Sequence, residues 1–186
     1  MLHETKVQAV ATQLKAQAPG RGPLAFSKSS VSHFVPNPHA ADTSPKLDLK
    51  PLDRVLKVDP QERICVAESG VTFEALVRET LQHGLIPYTV PELKGITIGG
   101  AVSGCSVEAM SYRYGGFHDS CLEYEVVTGS GEVLTCTPER DAELFHMLHG
   151  SYGTLGIITK LTFKLHPAKP YVRMRYEHFD SFDAFW

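Results

Sequence analysis

The chain has 186 residues, of which 42% are hydrophobic and 21% are charged, values close to those of ordinary globular domains. This length allows one domain or two small lobes and excludes a long multidomain enzyme. The 18 basic and 21 acidic residues give a formal net charge of -3, so the chain lacks the broad cationic surface that a nucleic-acid backbone requires. Any anion that it binds must be held locally by a few groups.

No targeting or membrane-spanning segment can be recognised. The first seven residues, MLHETKV, lack the basic flank and apolar stretch of a secretory signal, and no run of about eighteen apolar residues occurs. The four cysteines, Cys65, Cys105, Cys121 and Cys136, are scattered without a CxxC pair, which favours reduced, buried thiols over disulfides or a zinc site. We therefore predict a cytoplasmic protein with no transmembrane segment.

The first half of the chain predicts a helix, a long loop and short strands. Apolar residues at three- and four-residue spacing predict an amphipathic helix over residues 3–18, which Pro19 and Gly20 end. Residues 20–45 are rich in Ser, Pro, Gly, Asn and His and predict a functional loop that contains a short strand at 24–26. Alternating runs predict three further strands at 46–49, 54–58 and 63–67.

The second half predicts helices, a hairpin and more strands. Thr72 can cap a helix that ends at Gly84, with a buried face formed by Phe73, Leu76, Val77, Thr80 and Leu81. The sequence Gly129-Ser130-Gly131 predicts a hairpin turn between strands at 123–128 and 132–136. The other predicted elements are a helix at 141–148, a glycine-rich bend at 150–156, strands at 157–165 and 171–176, and the beginning of a helix at 181–186. Few helices, many short strands and long glycine loops predict an α+β domain in two lobes.

Residues 91–106, PELKGITIGGAVSGCS, carry the densest functional signal. Gly99, Gly100 and Gly104 alternate with small residues, which lets the main chain approach a ligand and direct several N–H groups at one point. Such a nest can hold a diphosphate without a lysine. The alternative is a tight structural turn, and the glycine cluster alone does not separate the two.

Better-known nucleotide and hydrolase motifs are absent from the sequence. No Gly-Lys-Ser or Gly-Lys-Thr of a Walker A loop occurs, and no G-x-G-x-x-G fingerprint follows a strand. Residues 150–156 have the wrong spacing for that fingerprint. No serine lies in a G-x-S-x-G elbow, which argues against a serine hydrolase.

Two pairs of polar residues suggest other chemistry. His146 and His149 are spaced to share a metal ion, with His166 as a third ligand, although a solvated helix face explains the spacing equally well. Glu123 and Glu125 lie on one side of a predicted strand and could act as acid and base, or form an exposed face.

The aromatic run Tyr112-Arg113-Tyr114 follows the glycine segment. Its rings could stack on a planar ligand, or they could pack in the core.

The order of several short motifs is more specific than any one of them. The motifs are Thr97-Ile-Gly-Gly100, Ser103-Gly-Cys-Ser106, Ser111-Tyr-Arg-Tyr-Gly115, Asp119, Glu125-Val-Val127, Asp141-Ala-Glu-Leu-Phe145 and Gly153-Thr-Leu-Gly-Ile-Ile-Thr159. From about residue 20 to residue 168, they resemble the vanillyl-alcohol-oxidase (PCMH) type of FAD-binding domain. The segments Val90-Pro-Glu-Leu93 and Pro167-Ala-Lys-Pro-Tyr-Val172 are most similar to the delta24-sterol reductase branch and its bacterial FAD-linked relatives.

This resemblance implies an FAD-binding domain over residues 1–180, with lobes at about 1–90 and 91–180 and FAD between them. It implies that residues 181–186 begin a substrate domain, and that the parent enzyme moves a hydride between flavin and an alcohol C–H or a C=C bond. The cofactor-binding residues that it implies are Ser29, Ser30, Val31, Ser32, Pro91, Thr97, Ile98, Gly99, Gly100, Ala101, Ser103, Gly104, Cys105, Ser106, Ser111, Tyr114, Gly115, Gly156, Ile157 and Ile158.

Two departures from the family pattern change what is expected. Many members carry a histidine that bonds covalently to the flavin, whereas Val31 stands at that position here, so FAD is expected to be non-covalent unless His33 substitutes. The chain also stops where the substrate domain of the family begins, so no catalytic acid or base can be named from it, and the chain is expected to be inactive alone. A small-molecule substrate would reach the flavin through a downstream domain.

Two rival functions stay open from the sequence. One is a stand-alone or degenerate flavin- or nucleotide-binding module without catalysis. The other is a metal-dependent enzyme built on His146, His149 and His166. The resemblance specifies neither the substrate, nor the choice between oxygen and NADPH as redox partner, nor the oligomeric state.

Overall fold

The computed structural model describes residues 1–16, 24–29 and 45–186, which form helices packed on β-sheets. The helices are α1 (His3–Lys15), α2 (Phe73–Leu81), α3 (Ile98–Ser103), α4 (Ser111–Tyr114), a 3-10 turn at Phe117–Ser120, α5 (Ala142–Met147) and α6 (Phe182–Phe185). The strands are β1 (Ala25–Ser27), β2 (Lys46–Asp48), β3 (Val55–Asp59), β4 (Ile64–Glu68), β5 (Leu85–Pro87), β6 (Cys121–Val127), β7 (Val133–Cys136) and β8 (Ile157–Pro167). None of the described helices is long and apolar enough to cross a membrane.

The main sheet is antiparallel and has the order β3-β4-β8-β6-β7, with β5 paired to the end of β8. Strand β8 is its centre because it pairs with three other strands and alternates buried and less buried residues. Leu161, Phe163 and Leu165 of β8 are almost wholly buried. The ring of Phe117 packs edge-on against Phe163, with centroids 5.1 Å apart, and against Phe73 of α2 at 5.0 Å.

Helix α1 packs against the β-sheets through one buried face. Its Val7, Val10, Ala11 and Leu14 are buried at helical spacing and form a second, smaller core with residues of β2, β6 and β8. The short parallel pair β1–β2 lies beside this helix, and Gln13 Oε1 accepts a hydrogen bond from Asp48 N at 3.0 Å. Helix α1 thus fixes the small sheet against the large one.

A buried network of charged side chains holds the beginning of α1. Glu68, the last residue of β4, is fully buried and accepts hydrogen bonds from Lys6 Nζ at 2.6 Å and from Arg54 N at 2.8 Å. The imidazole of His3 bridges two carboxylates, with Nδ1 2.9 Å from Glu68 Oε1 and Nε2 2.7 Å from Glu125 Oε1. Burial alone would raise the pKa of Glu68, but the hydrogen bonds from Lys6, His3 and Arg54 N outweigh it and hold the pKa below its usual value.

Most of the predicted elements are confirmed, with ends shifted by a few residues. The predicted α+β class with small antiparallel sheets is confirmed. Helix α1 ends at Lys15, before the predicted end, while residues 17–23 and 30–44 lie outside the described residues. Thr72 caps α2 by accepting a hydrogen bond from Ala75 N at 3.3 Å, as expected. The hairpin turn forms through Gly131 N, which donates to Thr128 O at 2.8 Å.

Other expectations about the elements are wrong. Residues 171–176 form no strand and pair with none of the described strands, and Tyr171, Val172 and Tyr176 are exposed. Leu81, expected on the buried face of α2, is 47% exposed. The short elements β5, α3 and α4 were not predicted. Strands from both sides of residue 90 join in the main sheet, so the lobe boundary at that position stays a prediction.

The predicted burial of the cysteines is confirmed for three of the four. All four thiols are free, with Cys65, Cys121 and Cys136 buried and Cys105 half-buried. Burial raises the pKa of the Cys65 thiol to about 12, and that of Cys121 likewise. These two thiols are therefore protonated and unreactive at neutral pH.

Candidate functional site

A cavity of about 360 Å³ lies between the beginning of α3, the small sheet and the start of β8. This volume is within the usual range of small-molecule sites. Its lining residues are Phe26, Lys28, Ser29, Leu49, Ser69, Gly70, Thr97, Gly99, Gly100, Ser103, Gly104, Tyr152, Gly153, Gly156, Ile157 and Ile158. The lining contains six glycines and four hydroxyl side chains of Ser or Thr, a composition that leaves room for a polar ligand close to the backbone.

One wall of the cavity is the first turn of α3. The helix begins there because Thr97 caps it, its Oγ1 accepting a hydrogen bond from Gly100 N at 3.2 Å, while Ile98, Ala101 and Val102 are buried at helical spacing. Gly99 lies so close to Ser69 that an added Cβ would be 2.6 Å from the Cβ of Ser69. Gly100, in contrast, is exposed in the cavity wall.

The opposite wall is the glycine-rich bend that leads into β8. Gly153 has a φ of +80°, and an added Cβ would be 2.8 Å from Cζ of Phe26 in β1, so the bend and the small sheet are in close contact. Tyr152 N donates to Ser103 O at 3.0 Å and thereby ties this bend to α3. Ile157 and Ile158 form the apolar back of the cavity.

The amide groups at the beginning of α3 do not converge freely on the cavity. Ile98 N donates to Val71 O at 2.9 Å, and Gly99 N donates to Ser69 O at 2.8 Å. Gly100 N is bonded to its own cap, Thr97 Oγ1. The expected nest of free N–H donors is therefore replaced by a turn whose amides already have partners, and the donors left in this wall are hydroxyl groups.

Nine of the residues implied by the resemblance come together around this cavity. These are Ser29, Thr97, Gly99, Gly100, Ser103, Gly104, Gly156, Ile157 and Ile158. Ser30, Val31 and Ser32 lie outside the described residues, so the position of the missing histidine is not placed. Whether these residues contact a cofactor stays a prediction.

The other implied residues lie off the cavity lining. Pro91, Ile98 and Ala101 are buried, and Cys105 is half-buried after α3. The side chains of Ser106 and Ser111 are both bonded to Glu108. The remaining two are Gly115, whose carbonyl accepts from Thr89 Oγ1 at 3.1 Å, and Tyr114, whose ring packs on Tyr88 at 5.1 Å.

Several lining residues were missed by sequence reasoning. Ser69 and Gly70 follow β4 directly, and Phe26 and Leu49 belong to or flank the small sheet. No local pattern marks them as part of a site, because only the fold brings them next to α3. Tyr152 and Gly153 had a usable signal, since they lie within the glycine-rich bend that the sequence already indicates.

The histidines proposed as metal ligands take other partners. His149 Nε2 lies 3.0 Å from the hydroxyl of buried Tyr124, and its ring is 4.7 Å from that of His118. Burial first, and then the neighbouring His118 and His146, lower the pKa of His149 to about 4, so it is neutral at pH 7 and can accept from Tyr124. Among the described residues no group of three His, Cys, Asp or Glu side chains is placed to hold a metal ion.

The carboxylate pair separates in the structure. Glu125 accepts from Thr159 Oγ1 at 2.7 Å and joins the buried network of α1, with Lys160 Nζ at 3.2 Å. Glu123 is half-buried, and its ion-pair partner among the described residues is Arg140, at 3.9 Å. The two carboxylates therefore take different partners.

Of the aromatic run, Tyr112 is 84% exposed, and Arg113 lies 5.3 Å above the ring of Tyr114. Neither residue lines the cavity. The first tyrosine of the run is thus free of the core, whereas the second packs on its neighbours.

Comparison with known proteins agrees with this architecture. The sequence profile of the FAD binding domain matches residues 29–137. The structure is similar to that of 6-hydroxy-D-nicotine oxidase from Arthrobacter nicotinovorans, with a TM-score of 0.74 and 21% sequence identity over 87% of this chain and 35% of that one. At this level of identity the structural match shows the fold alone.

Curated relatives carry the names of flavin-family oxidoreductases. The chain is 33% identical to human (Homo sapiens) delta(24)-sterol reductase over 130 residues, which is 70% of this chain and 25% of the relative. It is 28% identical to the Pisum sativum delta(24)-sterol reductase over 179 residues, 94% of this chain and 32% of the relative. It is 36% identical to cytokinin dehydrogenase 9 of Oryza sativa subsp. japonica over 119 residues, 62% of this chain and 23% of the relative. The chain thus spans a quarter to a third of the length of the curated relatives it matches.

The profile match is the most direct of these findings, because it covers the cap of α3, its glycines and the hairpin of β6 and β7. It includes more than half of the chain. The chain therefore belongs to the FAD-binding domain family.

Proposed function

We propose that the chain is the FAD-binding part of a flavin-dependent oxidoreductase and that it holds FAD non-covalently in the cavity between α3, β1 and the start of β8. The parent activity is hydride transfer between the flavin and an alcohol C–H or a C=C bond. The observation that carries the proposal is the cavity itself, which collects nine residues from three separate segments that the family pattern relates to the cofactor.

The cavity can accommodate a dinucleotide because the glycines in its wall leave space that larger side chains would occupy. An added Cβ on Gly100 would approach Thr97 Oγ1, at 3.0 Å, and no other atom within 4 Å. A branched side chain there would extend into the cavity. Within the described residues the hydroxyl groups of Ser29, Ser69 and Ser103 make no hydrogen bond, so they are available as donors to phosphate oxygens.

Each part of the cavity would then have a defined role. The hydroxyl groups and the glycine wall bind and orient the diphosphate, and the apolar back at Ile157 and Ile158 excludes water from the neighbouring part of the dinucleotide. FAD, when bound, supplies the hydride-accepting chemistry. No carboxylate or imidazole lines the described cavity, so this part of the protein binds and positions and provides no acid or base.

The remaining features of the proposal come from the resemblance. Val31 takes the place of the histidine that links flavin in many family members, which supports non-covalent binding. Residues 1–180 would form the FAD-binding domain and 181–186 the beginning of a substrate domain, through which the small-molecule substrate reaches the flavin. The four free thiols support a reducing, cytoplasmic location.

The visible spectrum of the purified chain tests the proposal directly. We expect a flavin spectrum, and we expect acid precipitation to leave the yellow colour in the supernatant. Colour that stays with the precipitate would contradict non-covalent binding.

A thermal unfolding series separates binding from a degenerate domain. FAD that binds only the folded state should stabilise it by about 2.7 kcal/mol at about 100 times its dissociation constant. For a chain of this size that corresponds to a rise in Tm of about 5 to 11 °C. A Tm that does not respond to FAD would favour a domain that keeps the fold without the cofactor.

A further inference from the structure

The charge of a bound diphosphate has few counterparts in the cavity. The first three amides of α3 already donate to Val71 O, Ser69 O and Thr97 Oγ1. The serine and threonine hydroxyls are neutral donors, and the helix is only six residues long. Among the described residues, a cation in the wall would therefore add the charge recognition that the first turn of α3 does not supply.

Lys28 is the single charged residue among the described residues that line the cavity. It follows β1 directly, and β1 is fixed on both sides: Ser27 O accepts from Leu49 N at 3.0 Å, and the ring of Phe26 lies against Gly153 across the cavity. In the described part of the chain, no carboxylate pairs with the ammonium group of Lys28. An exposed lysine is common, but a lysine that lines a cavity and has no carboxylate partner among the described residues is available for an anion.

We propose that Lys28 is the counter-cation of the cofactor diphosphate and so contributes to the selection of a dinucleotide. This inference rests on the proposed function and goes beyond it, because it assigns the charge recognition to a side chain and not to the backbone of the glycine segment. The ammonium group would donate charge-assisted hydrogen bonds to phosphate oxygens while the hydroxyls of Ser29 and Ser103 complete the contact.

The size of the effect follows from the exposure of Lys28. Hydrogen bonds to charged groups contribute most when both partners are buried, and exposed ion pairs contribute much less. Because Lys28 is exposed, we expect its removal to weaken FAD binding by about 2- to 5-fold and not to abolish it.

The test is FAD titration of the 186-residue chain, followed by flavin fluorescence, at about 0.05 M and about 0.5 M salt. The variants are Lys28→Gln, Lys28→Arg and, as a control with the same change of charge, Lys164→Gln, which replaces an exposed lysine of β8 outside the cavity lining. We expect Lys28→Gln to lose affinity at low salt and to respond less to salt than the wild type, Lys28→Arg to retain most of the affinity, and Lys164→Gln to behave as the wild type.

The outcomes separate this inference from the proposed function. If the wild type binds no FAD, the proposed function fails. If the wild type binds FAD and Lys28→Gln shows the same affinity and the same salt dependence, the role of Lys28 is wrong while the proposed function stands. A loss of affinity in Lys28→Gln without a change in salt dependence would indicate a packing role and would also overturn the inference.

Discussion

Replacing Glu68 by Gln should test how strongly the buried charge network stabilises the fold. Glu68 is fully buried, and it accepts hydrogen bonds from Lys6, His3 and Arg54 N. The amide of Gln keeps the shape but removes the charge, which leaves the Lys6 ammonium, itself 4% exposed, with only Asp53 at 3.8 Å among the described carboxylates.

The magnitude follows from the cost of an uncompensated buried charge. Breaking a buried ion pair by removing one partner typically costs about 3 to 5 kcal/mol. Asp53 still gives partial compensation, so we expect about 3 kcal/mol for Glu68→Gln, or a fall in Tm of about 6 to 12 °C. Glu92→Gln is the matched control, since Glu92 is exposed and should change the free energy of unfolding by less than about 0.5 kcal/mol.

The pH dependence gives the sign of the effect. The pKa of Glu68 is lowered in the folded state, so its stabilisation is fully present above the unfolded value of 4.5 and is lost as the pH falls through the folded pKa. Urea unfolding of the wild type and of Glu68→Gln, followed by circular dichroism, should therefore show a constant difference from pH 7 to about pH 5. The difference should shrink at lower pH.

Two results would refute this reasoning. The first is a difference below about 1 kcal/mol at pH 7, which would mean that the network contributes no more than an exposed pair. The second is a difference that persists unchanged far below the usual pKa of a carboxyl group, which would mean that the charge of Glu68 is not what the variant removes.

Three further predictions concern the cavity and the core. Gly100→Val should abolish FAD binding in a fluorescence titration while the chain stays folded. Gly99→Val should instead destabilise the fold, because its Cβ would lie 2.6 Å from that of Ser69. If Gly100→Val binds FAD with the affinity of the wild type, the site lies elsewhere. Tyr124→Phe should lower the free energy of unfolding, measured in urea at pH 7, by about 1 kcal/mol. The variant removes the hydroxyl that donates a hydrogen bond to Nε2 of the neutral His149. An unchanged free energy of unfolding would show that this hydrogen bond contributes nothing. The 186-residue chain loaded with FAD should turn over no alcohol or sterol-like substrate. The described cavity lining lacks an acid or base, and correct orientation of a substrate alone accounts for about 7 to 11 kcal/mol of a reaction barrier. Repeated bleaching of the flavin by substrate, with recovery of the colour in oxygen, would contradict this prediction.

Most helices and strands could be predicted from the sequence because the interactions that form them involve residues a few positions apart. The cap at Thr72, the hairpin at Gly131 and the alternation along β8 each depend on residues a few positions apart. Residues 171–176 show why alternation is insufficient: a strand also needs a partner, and none of the described strands pairs with this segment. Helix α3 was missed because its glycines conceal the helical signal, although the cap at Thr97 was visible.

The site was predicted in part for the same reason. The glycine-rich composition of residues 91–106 and of the bend before β8 indicates a binding site, and residues of both segments line the cavity. Leu49 and Ser69 reach it only through the pairing of β1 with β2 and through the end of β4, which no local pattern reveals. The sequence also could not show that the amide of Gly99 is already bonded to Ser69 O, since that contact joins two segments thirty positions apart.

Residues of the buried charge network are adjacent to cavity residues at the end of β4 and near the start of β8, so the two features are structurally coupled. Glu68 ends β4, and the next residue, Ser69, lines the cavity and donates its amide to Thr159 O at 3.0 Å. Thr159 in turn donates to Glu125, the second carboxylate that His3 bridges, and it follows the cavity residue Ile158 directly. Glu68 is thus one peptide unit away from a cavity residue, and Glu125 is one hydrogen bond and one peptide unit away from another. The charges that dock α1 thus also fix the position of the wall against which the cofactor is proposed to lie.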